Sequence, residues 1–113
     1  KNINKRFLYA KIYKKNLISK NLVLTNLKSN EDVLYVLFAK VKNRSNFIKN
    51  AYLNNFDISV CYNINLADLS CFKKFKRECI NTRKIVEDSI YLPCHVESNR
   101  NYINRLVQFI NKY

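Results

Sequence analysis

Glycine does not occur anywhere in the 113 residues, and proline occurs once, at Pro93. Without glycine the chain cannot build a loop whose bare backbone closes on a phosphate, so nucleotide-binding fingerprints of the glycine-rich kind are excluded. Tight turns must also be made by something else. Asn tolerates the left-handed region best among residues with a side chain, so Asn30, Asn43, Asn55 and Asn99 are the predicted turn and cap positions.

The length is that of one ordinary domain, and a chain of this size buries roughly two-thirds of its surface. With 48% apolar and 13% aromatic residues there is material for a core. No apolar run approaches the roughly 20 residues of a membrane span; Val33–Ala39 is among the longest. The basic N-terminal stretch is not followed by an apolar segment, so no secretory signal is expected. Methionine is absent and the sequence begins at Lys1. We therefore expect a single domain over 1–113 that is a fragment, a trimmed chain or the ordered part of something longer.

The net charge of +13 is uneven, since residues 1–30 hold eight bases and no acid. Such a face fits a polyanion or an anionic membrane surface. A coding bias explains the same excess. Asn occurs 18 times, Lys 15, Ile 11, Tyr 8 and Phe 7, more than half of the chain, and all have A/T-rich codons. Lys73, Lys74, Lys76 and Arg77, interleaved with Phe72 and Phe75, have the pattern of a basic-aromatic nucleic-acid patch. Core phenylalanines beneath a solvated charge run would give that pattern too.

Cys61, Cys71, Cys79 and Cys94 lie at irregular spacings without a C-x-x-C pair, and four cysteines allow three pairings. Cys94 and His95 are adjacent, so on a strand they point to opposite faces and do not converge on one metal ion. The expectation is free, mostly buried thiols in a reducing compartment, and no metal site. Asp57 and Asp68 are the nearest thing to a carboxylate pair, and nothing in the pattern brings them together. Glu87–Asp88 stands at a helix end that disfavours acids.

Along the chain, Ile3, Phe7, Ala10, Tyr13 and Leu17 recur at helical spacing and predict an amphipathic helix over 2–18. Leu22–Leu27 reads as a short extended piece. Val33–Val41 is a β-branched and aromatic run that predicts a strand covered on both faces. Ser45 is the predicted cap of a helix over 46–54, with Phe47, Ile48, Ala51 and Tyr52 inward. Phe56–Tyr62 alternates, placing Phe56, Ile58, Val60 and Tyr62 on one face of a strand. Residues 63–75 read as a loop with a short helical turn. A helix over 77–88 is expected to turn Cys79, Thr82 and Val86 inward, followed by the strand Ser89–Pro93. Ser98 is the expected cap of a last helix, with the stripe Tyr102, Ile103, Leu106, Val107, Ile110 and Tyr113. Periodicity alone implies a small α/β or α+β two-layer domain, with parallel and antiparallel sheets both open.

The order of these pieces resembles the C-terminal portion of the DegT/DnrJ/StrS-type sugar aminotransferases, pyridoxal-phosphate enzymes of fold type I. The best piece is Ile90-Tyr91-Leu92-Pro93 followed by the helix in Ser98–Ile110. Upstream, VLYVLFAKV, the helix Asn46–Asn54 and FDISVCY are similar to the family's strand, helix and strand, and residues 5–17 to the basic, Tyr-containing helix before its small domain. The loop departs from the family. Tyr62, Asn63, Ile64, Asn65, Leu66 and Ala67 stand where two prolines and a histidine are common, Cys61 where histidine is favoured, and Asn55 where glycine is common.

The resemblance implies an α+β fold, with a short, mainly antiparallel sheet of about three strands packed by helices, 1–20 as a connecting helix and 21–113 as the small-domain body. It implies a parent that transfers an amino group from an amino acid such as glutamate to a nucleotide-linked keto-sugar, in cell-surface polysaccharide or amino-sugar biosynthesis. Pyridoxal phosphate would be bound by an upstream large domain, which also carries the Schiff-base lysine, in a cytoplasmic homodimer. This chain would then hold no catalytic or cofactor-binding residue, and Tyr62, Asn63 and Asn65 would be its substrate-side residues. Two other readings stay open: a free-standing basic module binding nucleic acid through residues 1–20 and 72–77, and a non-catalytic partner that keeps the fold.

Overall fold

The computed structural model describes residues 2–25, 35–60, 64–75, 77–95 and 97–113. The elements follow in the order α1 (Asn2–Asn16), β1 (Leu22–Leu24), β2 (Leu37–Val41), α2 (Arg44–Leu53), β3 (Ser59–Val60), two 3-10 turns (Leu66–Asp68 and Ser70–Phe75), α3 (Ile80–Asp88), β4 (Ser89–Leu92) and α4 (Arg100–Lys112). The fold class is α+β with a four-stranded antiparallel sheet in the order β1-β2-β4-β3. The expectation of about three strands is one short. Its missing member is the extended piece after α1, which pairs Leu22 with Val41 and Leu24 with Ala39 as an edge strand.

β2 and β3 both run antiparallel to β4, which lies between them, so they run parallel to each other. Parallel strands need a crossover, and α2 supplies it. The register Leu37↔Leu92, Ala39↔Ile90 and Leu22↔Val41 puts these six side chains on one face of the sheet, all buried. Onto that face pack Tyr9, Ala10, Ile12 and Tyr13 of α1, Phe47 and Ala51 of α2, and Ile103, Leu106, Val107 and Ile110 of α4. Each fully buried Leu, Ile or Phe contributes roughly 1.5–3 kcal/mol, so this one layer of helices on one sheet face is where the fold's stability lies.

The other face is only partly covered. Phe38 and Tyr91 meet there edge to face at 6.1 Å, while Lys40 is exposed. The run Val33–Val41 is therefore a strand with one covered face, not two, and within its described part Tyr35 and Val36 are exposed and precede the strand. Val60 is also exposed, and of the predicted strand 56–62 only Ser59 and Val60 pair, with 61–63 outside the described residues.

Helix faces shift in three places. In α1, Tyr9 and Ile12 take the inward places given to Ile3, which is exposed. In α2, Tyr52 is exposed. In α3 nothing is buried: Thr82 is exposed, and Cys79 and Val86 are half-buried. α3 begins at Ile80 and rides on the surface; its acidic end is offset by Arg44, whose guanidinium donates to the Val86 carbonyl at 2.5 Å and to that of Ser89 at 3.4 Å.

Asparagine does the work of glycine. Asn43, at the N-cap of α2, has φ 52°, and Asn55, after the same helix, has φ 60°. The exit from α2 is a Schellman motif: Phe56 N–H donates to Ala51 O at 2.9 Å and Asn55 N–H to Tyr52 O at 3.0 Å. At the other end the N-cap position of α2 is Asn43, not Ser45, and its side chain makes no capping hydrogen bond. Asn99, not Ser98, caps α4: its side chain accepts the Tyr102 N–H at 2.7 Å from an extended backbone. Asn30 and Leu27 lie outside the described residues.

Candidate functional site

The antiparallel register of β3 and β4, Ser59↔Tyr91 and Val60↔Ile90, separates two ends of the domain. At one end β4 runs out into Pro93, Cys94 and His95 beside the residues entering β3. At the other β3 ends at Val60 and α3 leads into β4.

The first end holds a cleft of about 380 Å³ over the sparsely covered sheet face, lined among others by Arg6, Tyr35, Asp57, Ser59, Tyr91 and His95. α1 delivers Arg6 to it. The Arg6 guanidinium donates to the Tyr35 carbonyl and lies 5.8 Å from the centre of the Tyr35 ring. The Cys94 thiol donates to the same carbonyl at 3.9 Å. Burial raises the Cys94 pKa against the opposing pull of Arg6, so the thiol stays protonated and is a poor nucleophile. A second cleft of about 300 Å³ continues past Asp57, Pro93 and His95 to Glu97 and Tyr102.

The floor is fixed by tyrosines from α1. Tyr13 donates to Pro93 O at 3.0 Å and Tyr9 to Ser98 O at 2.5 Å. Burial keeps the Tyr13 phenol far above its ordinary pKa, so it remains a donor. Ser98, the residue expected as a cap, is buried; its N–H donates to His95 O at 3.1 Å, and its hydroxyl lies 3.2 Å from Nε2 of the exposed His95 ring. Sequence periodicity carries no trace of this cleft, because Arg6, Tyr35, Asp57 and His95 belong to four separate segments with no local spacing to link them.

Of the residues singled out as substrate-side, Asn65 alone is among the described residues. Tyr62 and Asn63 lie outside the described residues. Asn65 is buried, and its side-chain amide donates to Asp68 at 2.8 Å. Asp68 in turn takes Arg83 of α3, with Nη2 at 2.5 Å and Nε at 2.9 Å. Asp68 is thus committed to a structural pair. Phe72 and Phe75 are exposed rather than core residues, and Lys73, Lys74 and Arg77 beside them are exposed as well. Cys71 is also exposed, Cys79 half-buried and Cys94 buried, all three free thiols, so the thiols are less buried than the sequence suggested. Among the described residues no group of His, Cys, Asp and Glu could hold a metal ion, and no helix is long and apolar enough to cross a membrane.

No family model matches the chain, and no curated protein matches it. Solved structures do match, over almost its full length. The sugar aminotransferase CalS13 from Micromonospora echinospora superposes with a TM-score of 0.88 at 15% identity, over 98% of this chain and 30% of that one. A DegT DnrJ EryC1 StrS aminotransferase from Brucella abortus gives 0.83 at 11% identity, over 98% and 31%. Spr1654 from Streptococcus pneumoniae in its PLP-form gives 0.82 at 14% identity, over 98% and 31%. The fold is therefore that of a fragment of an aminotransferase. More narrowly, it is the fold seen in the DegT/DnrJ/StrS-type sugar aminotransferases, as the order of sequence pieces implied. The chain spans about 30% of the length of the structures it matches.

Proposed function

We propose that this chain is the C-terminal small domain of a pyridoxal-phosphate-dependent aminotransferase that acts on nucleotide-linked keto-sugars. The observation that carries the reading is the superposition of 98% of the chain on sugar aminotransferases of which it makes up about 30%. In this reading α1 within residues 1–20 connects to an upstream large domain, and 21–113 form the small-domain body. The parent takes its amino group from an amino acid such as glutamate and serves amino-sugar or cell-surface polysaccharide synthesis, as a cytoplasmic homodimer. Tyr62, Asn63 and Asn65 are the residues assigned to its substrate side in this reading.

The cofactor belongs to the parent rather than to this chain. Pyridoxal phosphate supplies an electron sink when bound, and its protein must supply an amine to bond it and groups to hold its ring and phosphate. No lysine is among the residues lining the cleft of Arg6 and His95. That cleft thus does not fit the group by itself, and no step is assigned to its residues. PLP- and PMP-forms of Spr1654 support the presence of the cofactor in the parent.

The test is to sequence the coding region upstream of Lys1 and to express the whole reading frame. The expected result is a large domain bearing a lysine, and a purified protein with the absorbance band of a lysine-bound pyridoxal cofactor that glutamate discharges. A complete reading frame without such a domain overturns the proposal.

A further inference from the structure

α1, α2 and α4 pack on one face of the sheet. Leu37, Ala39 and Val41 of β2 are buried beneath them, so Phe38 and Lys40 stand on the opposite face. The register sets Val23 beside Lys40, and puts Phe38, Tyr91 and Ser59 in one row across three strands. α3 covers Ser89, opposite Lys40, whose hydroxyl donates to the Ile85 carbonyl. The rest of that face stays open. The rings of Phe38 and Tyr91 on it are half-buried. Tyr91 and Ser59 also line the cleft of Arg6 and Tyr35, and the Tyr35 side chain is 80% exposed. At the other border a cleft of about 270 Å³ gathers Lys20, Lys40 and Lys42 with Val23 and Asp88.

We propose that this open sheet face binds single-stranded nucleic acid, with bases stacked on Tyr35, Phe38 and Tyr91 and phosphates held by Arg6 and by Lys40 with its neighbouring lysines. Every base has a π-face, so aromatic side chains displayed by a sheet and bordered by cations bind single strands with little regard to sequence. The two clefts bring four cations, Arg6, Lys20, Lys40 and Lys42, against two acids, Asp57 and Asp88. The chain as a whole carries +13. A coding bias raises the number of lysines and tyrosines. It does not gather three aromatic rings on and beside one open face, with cations at both borders. Tyr35 adds nothing to the core, and its ring stands 5.8 Å from the Arg6 guanidinium, so a stacking group and a phosphate ligand lie side by side. Duplexes are disfavoured, because paired and stacked bases hide the surfaces that these rings would meet. The inference is a further binding activity and does not depend on the enzyme reading above.

The experiment uses the protein of the full reading frame and the fluorescence anisotropy of labelled oligo(dT) and oligo(U), titrated over a range of salt concentrations. Binding is expected, with log K falling by about 0.7 per decade of salt for each phosphate contacted. Tyr35→Ala is expected to weaken it about tenfold with the salt slope unchanged. Lys40→Gln is expected to make the slope shallower by about 0.7. Both side chains are exposed, and the Tyr35 carbonyl that takes Arg6 belongs to the backbone, so both variants keep the fold, which circular dichroism checks. Tighter binding of oligo(U) names RNA as the strand, and tighter binding of oligo(dT) names DNA; either supports the proposal. No binding of either oligomer overturns it, as does binding indifferent to both variants. A duplex of equal length bound as tightly as the single strand leaves charge alone and overturns the stacking face. Binding lost with Lys73→Gln and Lys74→Gln together, but not with Tyr35→Ala, assigns the site to the second 3-10 turn and overturns it too. The enzyme reading is tested apart from these, by its cofactor absorbance.

Discussion

The Tyr13 hydroxyl donates to the Pro93 carbonyl at 3.0 Å, joining the first helix to the exit of β4 across eighty residues of sequence. Tyr13 is fully buried, and its phenol pKa is raised chiefly by that burial. Tyr13→Phe keeps the ring but leaves a carbonyl without its donor, which costs about 1–2 kcal/mol. Urea unfolding at pH 7 should show a lower midpoint with an unchanged slope.

The same residue sets an alkaline limit. The folded state holds the Tyr13 proton at a pH where the unfolded chain, titrating near pH 10, has released it. Above about pH 10 the unfolded state therefore binds fewer protons, and stability falls by up to about 1.4 kcal/mol per pH unit. Its contribution is complete below that pH and is lost as pH rises. Tyr13→Phe should flatten this part of the stability curve between pH 10 and 11.5. An unchanged slope would assign the alkaline loss to another group.

Asn55 occupies the left-handed position of a Schellman motif at φ 60°. A Cβ without a polar side chain pays roughly 1–2 kcal/mol there, whereas glycine pays nothing in strain. Asn55→Ala should therefore lower stability by about 1 kcal/mol, and Asn55→Gly should leave it level or raise it. Thermal unfolding of the two variants side by side separates this from any loss of side-chain contacts, because glycine loses those too.

Asn43 and Asn55 show what the sequence made legible and why. With glycine absent, few residues could take positive φ, so composition alone narrowed the choice to asparagine. The stripe of α4 was equally plain, since Ile103, Leu106, Val107 and Ile110 face one core from a single helix. The cap of α4 was misplaced by one residue because Ser98 and Asn99 are both good caps. Only the path of the chain shows Ser98 turned inward toward His95 and Tyr9. Phe72 and Phe75 looked like core residues because aromatic side chains usually are. Periodicity cannot reveal which aromatic side chains the tertiary fold leaves exposed. The cleft was out of reach for a different reason: Arg6 meets Tyr35 through tertiary packing of α1, at a separation of 29 residues.

Asp68 bridges Asn65 and Arg83, and both ends of the pair are more than a third exposed. Solvent screens such a pair, so its loss should hardly move the global unfolding transition. What should change is local order. Asp68→Asn is expected to speed amide exchange in 65–72 while β2 and β4 keep their protection. A drop in the global midpoint would mean that the 3-10 turns belong to the cooperative core.

Thiol chemistry distinguishes the three described cysteines. Cys71 is exposed on the second 3-10 turn, Cys79 is half-buried just before α3, and Cys94 is buried beside the Tyr35 carbonyl. Reactivity follows the thiolate and its access. Burial raises the Cys94 pKa, with Arg6 pulling the other way, so at pH 8 Cys94 is both hidden and protonated. In the native protein a disulfide reagent should label Cys71 first and Cys79 next, with Cys94 reacting only as fast as the cleft end opens. Arg6→Gln should slow Cys94 further, because it removes the charge that favours the thiolate. If Cys94 reacts faster in that variant, Arg6 acts mainly as a lid that holds Tyr35 over the thiol, and the packing contribution outweighs the charge.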